Sequence, residues 1–346
     1  MADGGAVLKP AGNSKTNPRE NKQGKVCYAD VFKLTDLPGI MDKKGWKVSS
    51  ILMRKWLNNP AYTISVDEKE GNTDARQYPK HLVDASTVTM AWALSFPRIN
   101  KEYQSIFAAK GIFKETAPMY ENERAKRQLV KRLLKAGKFT KFPEQFGNLN
   151  DSVLNVNEQW QFQRHRVDDD STYVKAWLND TVTSDPELDD LWGGLGRFLF
   201  KIAGEGTVTP TTKVIDTRVD SIAVDTGARC VTEVQYYEVS VEKLGVYVRD
   251  TYDFNGEQYL GHWSKTSSPY ARVYPLTHIA GGRGGQGECP DDFLPVNNER
   301  FVAHRSLTGK GGDLLVYSDV LITTLKHPFK FKVTRRDLAD IIGTMK

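Results

Sequence analysis

The chain has 346 residues, 39% apolar and 26% charged, with a formal net charge of +5. That length and apolar content suffice for one large domain or two with a sizeable core, and they exclude collagen, coiled-coil and wholly disordered classes. Residues 1–150 hold 26 basic against 15 acidic side chains and the remainder 22 against 28, but the excess falls largely in a polar head and one helix, which argues against a nucleic-acid partner.

Residues 1–30 are rich in Gly, Asn, Lys and Pro and have little to bury, so they read as a flexible head. Over 34–59, Pro38 suits a first helical turn and Gly45 a break. Trp46, Ile51, Leu52 and Trp56 recur at helical spacing, which predicts a helix in two parts. A polar loop follows over 67–79. Over 85–99, Val88, Met90, Trp92 and Leu94 alternate with smaller residues, so a half-buried strand ending at Pro97 is expected. Residues 101–136 return to helix, with Leu129, Val130, Leu133 and Leu134 as an apolar stripe on a basic segment that Gly137 stops.

From about residue 155 the pattern turns to strands, expected over 158–167, 195–208, 212–226, 229–242, 244–254 and 313–324. The tail reads as a helix capped by Thr334, with Asp337 three residues on. The fold class is therefore α+β, a helix-rich N-terminal half with a mostly antiparallel β-rich C-terminal half. The division is a head over 1–30, a helix-rich domain over 31–150 and a β-rich domain over 151–346 that carries the candidate active site. The alternative is that the front packs on the sheet rather than standing alone, the boundary near 145–157 being polar and turn-prone.

Three clusters can carry chemistry. The strand LGVYVRD delivers Arg249, Asp250, Tyr252 and Asp253 to its end, where Asn255–Gly256 would turn the chain and return YLGHW, with His262, as the partner strand. Such acids could bind a divalent cation such as Mg or act as a general base. In the structural alternative Asp253 caps the turn and Arg249 pairs with Asp250. His304–Arg305 stands before the glycine-rich GKGGD turn, where an imidazole could move a proton and a guanidinium fork could hold phosphate oxygens. Arg272 and Arg283 lie in or before the loop GGRGGQGECPDD, which could close over a ligand.

Other classes lose their main support. No HExxH, GxSxG or strand–helix GxGxxG occurs, and Cys27, Cys230 and Cys289 are isolated, as reduced thiols would be. No metal-ligating set is assigned. No apolar run reaches the ~18–20 residues of a membrane helix, and the opening MADGGAVLKPAGNSK has no secretory-signal segment.

The stretches LPGIMDKKGWKVSSILMRKW, TVTMAWALSFPR, LGRFLFKIAGEG, VYVRDTYDFNGEQYLGHWS and GKGGDLLVYSD occur in an order similar to an uncharacterised proteobacterial family, often encoded near type VI secretion genes beside spike and adaptor components. The resemblance covers about residues 31–325. It implies a cytoplasmically made effector, delivered into competing cells without a signal peptide, with a spike or adaptor protein and a cognate immunity protein as partners. A non-enzymatic immunity or adaptor protein is the alternative. A membrane-active toxin using the basic helix is a third. Asp250-x-Tyr252-Asp253 also resembles the Asp-x-Tyr-Asp core of colicin M-type toxins, which cleave the lipid-linked peptidoglycan precursor at its phosphate. The His-Arg pair that follows the core in that family is absent here, where Glu257 to Leu260 stand. The combined expectation is an envelope hydrolase acting on a phosphate or glycan bond. Asp250 and Asp253 would serve as metal ligand or base, Tyr252 as positioning group and His304 with Arg305 as acid and clamp. Arg249, His262, Arg272 and Arg283 are the candidate substrate-binding residues.

Overall fold

The computed structural model describes residues 19–20, 26–27, 33–107, 119–140, 143–168, 189–218, 229–256, 258–263, 265 and 294–345. Its frame is an antiparallel ribbon of two long strands, β6 (Arg197–Arg218) and β7 (Arg229–Tyr252), in register from Leu199↔Arg249 to Arg218↔Arg229. Separate strands expected over 195–208 and 212–226 are thus one strand as far as Arg218, as are those over 229–242 and 244–254. The register shifts between Glu205 and Gly206, where a Cβ on Gly206 would sit 1.9 Å from the Ser240 carbonyl oxygen. Only glycine admits that close approach.

Shorter strands complete both edges. β4 (Glu144–Phe146) and β5 (Gln161–Asp168) pair with β6, while β10 (Leu314–Tyr317) and β11 (Leu321–Thr334) pair with β7. β3 (Val83–Asp84) adds a parallel pairing outside β10. The sheet is mixed but mostly antiparallel, and the α+β class holds. Strands from both halves of the chain share it. β8 (Tyr259–Trp263) and β9 (Leu294–Asn297) form a small sheet of their own, and β1 (Arg19–Glu20) pairs with β2 (Val26–Cys27). The rest of the head predicted over 1–30 lies outside the described residues.

Helices cover both faces. On one, Tyr103 of α5 (Pro97–Phe107) meets Phe200 edge-on. On the other, the Tyr247 hydroxyl donates to Asn157 Oδ1 of α7 (Val153–Trp160) at 2.9 Å. The basic helix α6 (Met119–Lys135) turns Ala125, Leu129, Val130 and Leu133 into the core. Among the described residues no helix is long and apolar enough to cross a membrane.

The two-part helix appears as α1 (Leu37–Lys43) and α2 (Lys47–Asn58), broken at Gly45 with φ +76°. Trp46 offers α2 no side-chain cap. Asp190 supplies it from α8 (Asp190–Gly194): its carboxylate accepts from Val48 N at 3.2 Å, Ser49 N at 2.8 Å, Ser49 Oγ at 2.7 Å and Trp92 Nε1 at 3.1 Å. Asp190→Ala should cost about 1.5–3 kcal/mol, the range for hydrogen bonds to a charged group, read as a lower urea midpoint. An unchanged midpoint would mean that water caps the helix equally well.

The strand expected over 85–99 is a correction. Those residues form α4 (Met90–Leu94) and the start of α5, with Thr89 Oγ1 accepting from Trp92 N at 3.1 Å as N-cap. Pro97 opens a helix rather than ending a strand. Residues 158–160 likewise finish α7 before β5 begins. The tail is the predicted helix, α10 (Arg335–Gly343). Thr334 Oγ1 accepts from Asp337 N at 3.1 Å, and Asp337 Oδ2 accepts from Thr334 N at 2.8 Å.

Candidate functional site

The end of β7 places its polar residues on opposite faces by simple alternation: Arg249 and Thr251 on one, Asp250 and Tyr252 on the other. Arg249 does not pair with Asp250. It is buried under α3 (Val66–Glu70), where Nη2 donates to Glu68 O at 2.6 Å, Nη1 to Lys69 O at 2.7 Å and Nε to the Tyr317 hydroxyl at 3.3 Å. The guanidinium expected to bind substrate therefore fastens the last turn of α3 to the sheet.

Asp250, Tyr252 and Asp253 line a cavity of about 490 Å³. Its apolar wall includes Leu37, Met41, Met53, Trp263, Val296 and Phe301, and its polar rim includes Lys69 and Arg197. Asp250 is half-buried, and no side chain among the described residues hydrogen-bonds its carboxyl. Burial pushes that carboxyl well above the usual carboxylate range, and the Asp253 charge adds to the effect. The Thr251 N–H, Arg249 and Lys69 offset it only in part. Such a group holds its proton at a pH where ordinary carboxylates have lost theirs.

The neighbouring groups differ. The Tyr252 hydroxyl donates to Gly193 O at 3.3 Å, and burial, helped by the Asp190 and Asp250 charges, keeps the phenol protonated. Asp253 is stitched to its surroundings. Oδ1 accepts from Lys69 Nζ at 2.6 Å and Asn255 Nδ2 at 3.1 Å, and Oδ2 accepts from Thr251 Oγ1 at 2.9 Å. Two carboxylates three residues apart thus sit in unlike environments, one paired and the other without a side-chain partner among the described residues.

The expected return strand is corrected as well. β8 pairs with β9 rather than β7, because β10 already occupies that edge of β7 from Arg249 to Tyr252. Asn255 spends its side chain on contacts far along the chain. Nδ2 donates to Asp313 Oδ2 at 2.8 Å, and Oδ1 accepts from Arg305 Nη1 at 3.1 Å.

His304 and Arg305 lie on α9 (Asn298–Thr308), capped by Asn297 and stopped by Gly309 in the left-handed region, not on a loop. Asn255 joins Arg305 to Asp253, so the two clusters meet, but neither His304 nor Arg305 lines the cavity. Arg305 is used within the fold: Nε donates to Gly311 O at 2.6 Å, Nη1 to Thr63 Oγ1 at 2.6 Å, and Nη2 pairs with Asp313 Oδ1. The His304 ring lies 6.2 Å from that of Trp56, and burial pushes its imidazole down, towards the neutral form. Roles as acid and phosphate clamp would need these side chains to face the cavity.

His262 stands on β8, with its side chain outside the described residues. Arg272, Arg283 and the glycine-rich loop over 281–292 lie wholly outside them. Among the described residues, no three His, Cys, Asp or Glu side chains converge to hold a metal.

Two lining residues, Lys69 and Arg197, escaped sequence reasoning, since each lies far from the Asp-Tyr-Asp motif along the chain. With Asp250 and Thr251 they also line a second cavity, of about 910 Å³, on the far side of the β7 end.

A model of the family described as a family of unknown function (DUF6402) matches residues 32–333, most of the chain, and the protein belongs to that family. No curated protein and no solved structure matches the chain.

Proposed function

We propose that this member of a family of unknown function is an antibacterial effector carried by type VI secretion, and that the cavity beside Asp250 hydrolyses a phosphate or glycan bond of the cell envelope. The observation that carries the enzymatic part is Asp250 itself, a half-buried carboxyl that burial pushes above the usual carboxylate range, unpaired by any described side chain and open to a cavity. Asp250 passes its proton to the leaving oxygen as the bond to phosphorus or carbon breaks and water attacks. The proton released by that water restores the acid. Asp253, paired with Lys69, holds the rim, and Tyr252 fixes the floor against Gly193. The apolar wall suits the lipid part of an envelope precursor. The secretion context rests on the ordered stretches quoted above. It implies synthesis in the producer's cytoplasm, transfer on a spike or adaptor protein and neutralisation by an immunity protein.

The test is inducible expression in a susceptible bacterium, with and without an export signal to the periplasm. Killing in one compartment is expected, and Asp250→Asn should abolish it while the variant keeps its circular dichroism spectrum and unfolding midpoint. A folded Asp250→Asn variant that kills like the parent rejects the enzymatic reading.

A second reading, a non-enzymatic immunity or adaptor protein, draws on the turn after β7, where Asp253, Asn255 and Arg305 are satisfied by one another. It predicts no killing in either compartment and rescue from a toxin encoded beside it. The membrane-active alternative has less to draw on, because the apolar stripe of α6 is spent on the core.

A further inference from the structure

The larger cavity holds a feature that the proposed hydrolysis does not use. Lys201 points from the middle of β6 and is 5% exposed, yet no described side chain or carbonyl pairs with its ammonium. Cross-strand register gives Arg164↔Lys201, Lys201↔Tyr247, Arg166↔Leu199 and Leu199↔Arg249. Directly opposed residues share a sheet face, so Arg164, Arg166, Lys201 and Arg249 stand on one face together.

This arrangement is costly for an empty protein. A buried ammonium normally gains a carboxylate or several hydrogen bonds. Lys201 has cationic neighbours instead, and burial together with Arg249, Arg164 and Arg132 brings it down to about 7. Eight Lys and Arg residues line the cavity; Glu70 and Asp250 are the carboxylates lining it with them, the second of which resists ionisation, while Asp253 and Glu158 pair with Lys69 and Arg132. Arg132 and Arg249 are held in place by main-chain carbonyls, those of Glu158 and Gln161 for the first and of Glu68 and Lys69 for the second. Their positive charge is therefore fixed before any ligand arrives. Arg164 reaches into the same space with no described partner.

We infer that the cavity between β5, β6 and α6 is a binding site for a phosphate-bearing anion, held by Lys201 and Arg164. The missing counter-charge is what such a ligand supplies, and a multiply charged phosphate meets several donors at once. At about 910 Å³ the cavity has room beyond a free phosphate, and a phosphate or pyrophosphate ester of a larger molecule fits it. The site stands on β5 and β6 and does not require Asp250 to be catalytic.

The probe is inorganic pyrophosphate, titrated calorimetrically into the full chain, with inorganic phosphate and acetate in parallel. Saturable binding is expected, strongest for pyrophosphate. Lys201→Met should weaken it tenfold or more, and Arg164→Ala by a smaller factor. Without ligand, Lys201→Met should unfold at the same or a higher midpoint, because an unpaired buried charge is removed. Pyrophosphate should raise the midpoint of the parent but not of that variant. The inference fails if pyrophosphate shows no saturable binding, if acetate binds as tightly, or if Lys201→Met binds like the parent. A lowered midpoint for ligand-free Lys201→Met also overturns it, since that would reveal a structural partner. None of these readouts involves turnover, so a failed killing assay leaves the inference standing.

Discussion

Asp313→Ala should lower the unfolding free energy by about 3–5 kcal/mol, the cost of leaving a buried charge without its partner. Asp313 is fully buried just before β10, and its carboxylate gathers four donors from four separate segments of the chain. Oδ1 accepts from Trp56 Nε1 at 3.0 Å and from Arg305, and Oδ2 accepts from Ile64 N at 3.0 Å and Asn255 Nδ2 at 2.8 Å. Truncation strands the Arg305 guanidinium, whose side chain is only 10% exposed, and orphans the other donors together. Because Asn255 also holds Asp253, the turn beside the smaller cavity should loosen too, visible as faster amide exchange over 253–256. Asp313→Asn keeps the shape and one acceptor, so it should cost less than the alanine variant. A loss below 1 kcal/mol for Asp313→Ala in urea denaturation would show that the surrounding groups re-pair without it.

That network explains why Arg305 serves the fold rather than the cavity. GKGGD looks like a free loop beside a basic pair. Yet Asn297 at the N-cap and Gly309 at the stop are ordinary helix signals, and they bracket α9. What no local signal gives is the buried Asp313 waiting below Arg305. The strand expected over 85–99 failed for a related reason. Val88, Met90, Trp92 and Leu94 alternate, but only Val88 and Met90 of these are buried, and Ala93 joins them at a helical step. Thr89 before Trp92 and Pro97 at a first turn were visible and outweigh the alternation. Where one periodicity dominated, as in α2 and the capped tail helix, the chain could be read directly, whereas in β6 and β7 the strand character was legible and the continuity was not. The Asp-Tyr-Asp end of β7 was legible as a cluster, and it does border a cavity. Its unequal carboxylates were not legible, because Lys69, which pairs with Asp253, reaches the site from α3, about 180 residues away. Lys201 left a faint trace: a single cation inside LFKIA, which an apolar strand rarely carries.

Arg249→Leu should remove about 2–4 kcal/mol of stability and shift Lys201 at the same time. The first effect follows from the bonds of 2.6 and 2.7 Å to Glu68 O and Lys69 O, which are left without donors when the guanidinium goes. Removing it frees α3, and with it the Lys69 ammonium that pairs with Asp253. The second effect follows from charge. Arg249 is the largest cationic influence on Lys201, after burial, so its loss should let the Lys201 value climb from about 7 towards, but not to, the ordinary 10.5. The two are linked through stability. In the parent, the unfolded chain holds a proton on Lys201 that the folded chain has lost between about pH 7 and 10.5, so this group makes stability rise with pH across that window. In Arg249→Leu the window narrows from its lower end and the rise shrinks. Titration of the labelled lysine amine by NMR, beside urea denaturation at pH 7 and 9, separates the contributions. A Lys201 value unmoved by the substitution would mean that burial alone sets it, and the shared cationic field of the sheet face would no longer be needed to explain the site.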